Sequence, residues 1–234
     1  MIVAADHKGT GYLAALDSKT GEMRWQTPRP AEPTYASPVV LNVTGKDQLL
    51  IAGANLIASY DPDTGKQLWS CKGTSTECVS SIVTEGNSIF ATGGFPAKET
   101  VCIHGDGSGK VLWRVPVGCF VPSMLVHDGA LFGVLDDGMA ICWKSDTGKE
   151  AWRERLAGKF SASPVLVGDH IYVPNESGKT FVLKASPEKF EVISQNQLGS
   201  GIFASPAICG GRIYLRVAQK TAPKWEEILY CIGE

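Results

Sequence analysis

The 234-residue chain carries 22 basic and 24 acidic side chains, a formal charge of −2. It shows no basic stripe of the kind that tracks a phosphate backbone, so nucleic acid is not an expected partner. No apolar run approaches the ~20 residues that span a bilayer, which leaves no expected transmembrane segment, and the length suffices for one repeat domain with a full core.

The opening residues Met1-Ile2-Val3-Ala4-Ala5-Asp6 are too few and too weakly charged for a secretory signal. Ile2–Ala5 reads as a strand, and Gly9-Thr10-Gly11 as a turn. An eleven-residue stretch follows, Ala15 to Trp25, with the pattern A-x-D-x-x-T-G-x-x-x-W. It returns as Ser59 to Trp69, Ile103 to Trp113 and Cys142 to Trp152. The four tryptophans are spaced by 44, 44 and 39 residues. A period near forty is the mark of a stacked or radial repeat. Within each copy, small and apolar residues form a strand. Asp17 or Asp61 then bonds to its own turn, and Gly21, Gly65, Gly109 or Gly148 closes that turn in the left-handed conformation. The next strand ends on Trp25, Trp69, Trp113 or Trp152, placed to wedge between neighbouring repeats. These ten residues form the expected structural motif. In this alignment the third copy has Gly105 at the Asp position and the fourth has Lys144.

A second signature opens each complete repeat, from Ala36-Ser37-Pro38-Val39-Val40 through Ala204-Ser205-Pro206-Ala207-Ile208, with equivalent positions expected at 37, 80, 122, 163 and 205. Small residues suit a crowded innermost strand, and Pro suits its beginning. The full repeat at about 160–198 departs from the pattern. Ala185 to Val192 replaces the T-G turn and Trp, with Val192 expected where Trp would stand. The last segment holds an insertion from Ala218 to Glu227 and stops after its third strand.

The predicted fold is all-β, a β-propeller of four-stranded antiparallel blades in one domain, 1–234. A partial blade at 1–30 is followed by full blades at about 34–75, 78–117, 120–157 and 160–198, then a partial blade at 202–234, about six in all. The first blade lacks its inner strand and the last its outer one. The expectation is therefore a piece of a longer, eight-bladed ring whose isolated form self-associates through open strand edges. The alternative is a six-unit ring in which the partial blades complete each other.

The Trp motif resembles the tryptophan-docking motif of the pyrroloquinoline-quinone (PQQ) type β-propellers. That group includes the quinoprotein alcohol dehydrogenases and the non-enzymatic propeller of the bacterial outer-membrane barrel-assembly lipoprotein. The resemblance covers nearly the whole chain and is specific for fold, not for activity. It implies a periplasmic or other extracytoplasmic location. For a dehydrogenase it also implies PQQ held over calcium, beside an adjacent Cys-Cys disulfide. This chain has no Cys-Cys pair, and no calcium ligand set can be mapped onto it.

The remaining chemistry is sparse. The loop Gly105-Asp106-Gly107-Ser108-Gly109-Lys110 lacks the spacing of a phosphate loop and reads as a turn. His7, His104, His127 and His170 form no metal pair. Asn42-Val43-Thr44 and Asn175-Glu176-Ser177 fit the glycosylation acceptor pattern. Of seven cysteines, Cys102, Cys142 and Cys231 read as small buried hydrophobes, and Cys71 and Cys78 as either a bridge or free thiols. No catalytic or metal residue is predicted, and the cofactor-binding residues are unknown. The expected function is a binding scaffold without cofactor, with a protein or polymer on a propeller face. The alternative is a PQQ- and calcium-dependent dehydrogenase of alcohols or sugars.

Overall fold

The computed structural model of the chain describes residues 1–221 and 224–233. Ala222 and Pro223 of the predicted insertion, and Glu234, lie outside them. Every regular element among the described residues is a strand, and every pairing is antiparallel. The chain divides into two compact units, the first comprising 1–120 with 146–148, and the second the rest.

The first unit holds three sheets. β1 (Ile2–Ala5), β2 (Gly11–Leu16) and β3 (Met23–Arg29) form a three-stranded one. β4 (Val39–Val43), β5 (Lys46–Gly53), β6 (Leu56–Tyr60) and β7 (Gln67–Lys72) pair in chain order. So do β8 (Val83–Glu85), β9 (Ser88–Gly93), β10 (Glu99–His104) and β11 (Val111–Val115). The middle strands are buried on both faces, which is why Leu49-Leu50-Ile51-Ala52 and Val101-Cys102-Ile103 run without a polar break. The outer strands alternate between buried or half-buried and exposed residues, β7 and β11 among them. Leu13, Leu50, Ile57, Ile89 and Ile103 belong to one continuous core in this unit.

In the second unit, β12 (Leu125–His127), β13 (Ala130–Val134), β14 (Met139–Lys144) and β15 (Glu150–Arg155) make one sheet. β16 (Val165–Val167), β17 (His170–Pro174), β18 (Lys179–Lys184) and β19 (Val192–Gln197) make the next. β20 (Ala207–Cys209), β21 (Arg212–Thr221) and β22 (Lys224–Ile232) make a three-stranded last sheet. Phe132, Phe160, Ile171 and Phe181 centre its larger core, and Ile202, Leu215 and Val217 a smaller one. The described residues of the insertion lengthen β21 and β22, with Ala218 opposite Glu227 and Lys220 opposite Trp225.

Pairing register aligns the repeats row by row. Val39, Leu50, Ser59 and Trp69 lie side by side across one sheet, and Val83, Phe90, Cys102 and Trp113 across the next. Leu125, Phe132, Cys142 and Trp152 form the third such row, and Val165, Tyr172, Val182 and Ser194 the fourth. These rows correct three expectations. The residue at the Trp position of the full repeat at 160–198 is Ser194, not Val192, because its turn is longer than the others. In the third copy Cys102, not Ile103, matches Ala15, so the turn has one extra residue and His104 takes the place of Asp17. At the repeat openings, the residues two before Val39, Val83, Leu125, Val165 and Ala207 are Ser37, Ser81, Ser123, Ser163 and Ser205, so Ser81 and Ser123 replace positions 80 and 122. All five repeats therefore carry serine there. The inner strands begin only after the small residues and Pro, at Val39 and its equivalents.

All seven cysteines are free thiols, so Cys71 and Cys78 do not bridge. Cys102 and Cys142 are buried as expected, whereas Cys231 is exposed on β22, which pairs among the described residues with β21 alone.

Candidate functional site

The T-G turns are built by their own side chains. Asp17 Oδ1 accepts the backbone N–H groups of Lys19 and Thr20 at 2.9 and 3.0 Å, and Arg24 donates to Oδ2 at 2.6 Å. The Arg24 contact and these N–H groups hold the Asp17 carboxyl down at about 2. Asp61 Oδ1 accepts from the backbone N–H of Asp63 and Thr64 and from the Thr64 hydroxyl, which lower its pKa. In the longer third turn Asp106 does this work through the hydroxyl and N–H of Ser108. Gly105, the residue expected at an Asp site, is forced by crowding, since a Cβ there would stand 2.2 Å from Val43 Cγ1. Gly21, Gly65, Gly109 and Gly148 all adopt positive φ, at 76°, 71°, 67° and 69°.

Each of the four tryptophans meets the turn of the following repeat or a group bonded to it. Trp25 Nε1 donates to Pro62 O at 3.1 Å, and a Cβ on Gly65 would lie 2.4 Å from Trp25 Cε3. Thr27 Oγ1 adds a bond to Gly65 O at 2.7 Å. Trp113 stacks on Gly148, where a Cβ would lie 2.6 Å from its Cε3. In the second unit, Trp152 Nε1 donates to Ser186 O at 2.8 Å, and its ring meets Phe190 edge-on at 5.2 Å. The T-G turn is missing there, yet its replacement still offers a carbonyl and a ring. Glycine at 65 and 148 is thus required twice, by φ and by the indole lying against it.

Trp69 differs. In the longer third turn no glycine lies under the ring as Gly65 does under Trp25; the Cβ position of Gly107 is 3.8 Å from Trp69 Cδ1. The indole N–H is donated instead to Gln48 Oε1 at 2.9 Å, which also accepts from Ser59 Oγ at 2.8 Å. Gln48 Nε2 then donates to Gly105 O at 3.2 Å. Buried Gln48 relays the joint, and a cavity of about 380 Å³ lies beside it, lined by Lys46, Leu68, Trp69 and Asp106.

A second cavity lies between the last two sheets of the second unit. Tyr172 and Val182 from the fifth sheet face Ile213, Leu215 and Ile232 from the last across a cavity of about 340 Å³. In the preceding joints the residues matching Tyr172, namely Phe90 and Phe132, carry a Trp ring at 5.9 and 6.1 Å. Sequence reasoning missed this cavity because its lining comes from β17, β18, β21 and β22 and from the end of β19, which only the fold brings together. The serine row was hidden in the same way. In the second unit, Ser123 N donates to Ser163 Oγ at 2.9 Å and Ser163 N to Ser205 Oγ at 2.8 Å, stitching the starts of three sheets.

Other predicted positions are structural in their surroundings. His104, His127 and His170 each sit within 3.4 Å of an acidic neighbour, Asp106, Asp128 and Asp169 respectively. Among the described residues no three His, Cys, Asp or Glu side chains stand together as a metal set. Asn175 is buried and fully engaged, donating to Ala157 O and accepting from Ser177 and Lys179, so its acceptor pattern is not presented for glycosylation. Asp6 and Arg29 form an ion pair 2.9 Å long with both side chains 1% exposed. Burial pushes the Asp6 carboxyl up while Arg29 opposes it, and Arg29 also reaches Tyr60 Oη. No helix among the described residues is long and apolar enough to cross a membrane.

Antiparallel four-stranded sheets joined through docked tryptophans define a β-propeller of PQQ-like repeats. The chain belongs to the family described as outer membrane protein assembly factor BamB, whose model matches residues 1–107 and 97–189. It is similar to the outer membrane protein assembly factor BamB of Legionella pneumophila (strain Paris), 27% identical over 111 residues, which are 46% of this chain and 28% of that protein. The match thus spans less than a third of the relative's length. Among solved structures it resembles BamB from Moraxella catarrhalis, with a TM-score of 0.71 at 16% identity, over 92% of this chain and 68% of that one. It also resembles Saccharomyces cerevisiae Sqt1, with a TM-score of 0.68 at 13% identity, over 99% and 66%. At such identities the structural likeness speaks for the propeller fold alone.

Proposed function

We infer that this chain is a non-catalytic propeller that serves as a protein-binding scaffold in the bacterial cell envelope, on the periplasmic side, in outer-membrane protein assembly. The observation that carries the reading is the family match across 1–189. The chemistry of the repeats supports it. The carboxylates that recur with the motif, Asp17, Asp61 and Asp106, are engaged in holding turns. The tryptophans at 25, 69, 113 and 152 reach toward the following repeat, and Gly65 and Gly148 receive an indole, so these residues are engaged in joints between repeats. Rigid joints of this kind leave the connecting loops free to vary and to bind, which is how propeller faces recognise proteins. No PQQ or calcium enters the mechanism.

Affinity capture of the tagged protein from solubilised bacterial envelopes tests the reading, with outer-membrane assembly proteins expected to co-purify. Calcium-dependent dye reduction with alcohols or sugars after addition of PQQ would overturn it in favour of a quinoprotein dehydrogenase.

A further inference from the structure

We propose that the crevice between the second and third sheets of the first unit captures the carboxyl terminus of a peptide, with Lys72 and Arg114 taking its carboxylate and Glu99 taking the N–H of its last residue. The proposal rests on the reading of the chain as a protein-binding scaffold, and adds a site and the part of a partner that it holds. Glu99 opens β10, and Arg114 lies on β11, which pairs with it. Arg114 Nη1 donates to Glu99 Oε2 at 2.7 Å, and Nη2 reaches across to Lys72 O at the end of β7. Gly73 lies against the guanidinium, where a Cβ would stand 3.3 Å from Nη1. Two cavities meet at this pair. One, of about 340 Å³, is lined by Asn55, Lys72, Gly73 and Thr74 with Glu99 and Arg114. The other, of about 260 Å³, adds Ala97, Lys98 and Val115 on the far side of Thr74, Glu99 and Arg114.

Three observations define the occupant. Glu99 Oε1 is buried and accepts no hydrogen bond among the described residues, so the site is short of a donor. The terminal torsion of a Glu side chain is soft, and a small rotation turns Oε1 toward the cavity that Glu99 lines. Next, Lys72, Lys98 and Arg114 surround this single carboxylate, and neither lysine makes an ion pair among the described residues. Three cations against one anion attract negative charge and repel a cationic donor. A plain anion brings no reliable donor for Oε1, and an internal peptide amide brings no charge. A peptide carboxyl terminus brings both, because its carboxylate sits one carbon away from the N–H of the same residue. Arg114 keeps N–H groups for that carboxylate after its two bonds, and guanidinium and carboxylate match in shape. Last, the wall is held in strained backbone. Asn55 and Thr74 have φ of 60° and 53°, a conformation rarely adopted by a β-branched residue such as Thr. Gly73 N donates to Asn55 O at 3.1 Å and Asn55 N to Ser75 O at 3.2 Å, which fixes them there. Strain of this kind collects where a ligand is clamped. The last residue of the peptide fits the larger cavity, and the residues before it pass into the second, where Ala97 and Val115 offer apolar contact.

The test is an NMR titration of the complete 234-residue chain with four probes. These are acetyl-tetra-alanine with a free carboxylate, the same peptide amidated at its carboxyl end, the same peptide N-methylated at its last residue, and inorganic phosphate. The free-carboxylate peptide is expected to bind about tenfold tighter than the amidated one, and the N-methylated peptide to lose most of that advantage. Methyl signals of Thr74, Ala97 and Val115 are expected to shift, a readout that needs no variant. Lys72→Gln and Lys98→Gln change exposed side chains and are each expected to weaken the free-carboxylate peptide about threefold. Equal binding of acid and amide, no binding of the acid at millimolar concentration, or shifts elsewhere would overturn the proposal. Equal binding of the N-methylated peptide would overturn the part given to Glu99. Binding of phosphate with none of the peptide would make the crevice a plain anion site and overturn it as well. These probes address the crevice alone, so the scaffold reading still stands or falls separately on co-purification with outer-membrane assembly proteins.

Discussion

Replacing Trp69 by Ala probes the joint that depends on a relay rather than on direct stacking. Trp69 is 7% exposed, and emptying a buried Trp site typically costs about 3–5 kcal/mol. Two features set the place within that range. The cavity of about 380 Å³ already beside the ring lets water reach the new space, which lowers the cost of the void. Gln48 Oε1 keeps Ser59 Oγ as a donor at 2.8 Å, so loss of the indole leaves no orphaned buried acceptor. The expected loss is therefore about 3 kcal/mol. Trp69→Phe keeps most of the ring and loses only the N–H bond and some area, for about 1–2 kcal/mol. Ser194→Ala, at the matching but unfilled position, is expected to move stability by no more than about 0.5 kcal/mol. Urea unfolding followed by circular dichroism measures all three, with the midpoint shifting at unchanged slope. Equal midpoints for Trp69→Ala and Ser194→Ala would show that the indole is no wedge, and the row-by-row alignment of the joints would lose its energetic meaning.

Asp6→Asn leaves Arg29 charged and buried without its partner, so it is expected to cost about 3–5 kcal/mol, while the double change Asp6→Leu with Arg29→Met costs far less; thermal melts of the single and double variants compare them. Asp17, Asp61 and Asp106 have pKa values lowered by their turn bonds, so they contribute stability that is present above the ordinary carboxylate value of 3.8 and is lost as pH falls below it through their lowered values, about 2 for Asp17. A pH series of urea midpoints is expected to show that acid loss, and Asp17→Asn to make it shallower. Burial pushes the Cys142 and Cys102 thiols up to about 12 and about 11, whereas Cys209 and Cys231 are exposed. A thiol reagent at mildly alkaline pH is expected to label Cys209 and Cys231 in the native protein and all seven only after denaturation, with mass spectrometry of the labelled peptides as the check. Gly65→Ala must push the Trp25 ring aside and strain a φ of 71°, so a loss larger than that of Gly21→Ala, where no atom lies within 4 Å, is expected in the same assay.

The repeat, its turns and its tryptophans are legible in the sequence because they are local: an Asp that caps its own turn, a glycine at positive φ and a Trp a fixed distance on all leave their trace within eleven residues. What was illegible is how turn length varies. Aligning copies on Trp assumes equal turns, and the third turn is one residue longer, which put Asp at Gly105 instead of recognising Asp106 as its stand-in. The same assumption placed Val192 in the Trp site and hid Ser194. The serine row failed for a related reason, since Ser80-Ser81 and Pro122-Ser123 offer two small residues each and only strand pairing chooses between them. The role of Gln48 could have been suspected from a lone amide entering the buried run Leu49-Leu50-Ile51, but its partners come from residues far along the chain.

The tryptophan of one repeat closing on the turn of the next has a consequence for how such a chain can change. The heritable module is not the sheet but the joint. Gly65 answers to Trp25, and Gly148 to Trp113, so each sheet carries half of two agreements with its neighbours. A copied or exchanged sheet would bring a foreign indole to one side and a foreign turn to the other. A segment cut in mid-sheet, from one outer strand through the following turn, would transplant with its lock and key together. On that account, shuffling experiments with this protein should tolerate crossovers within sheets better than crossovers between them.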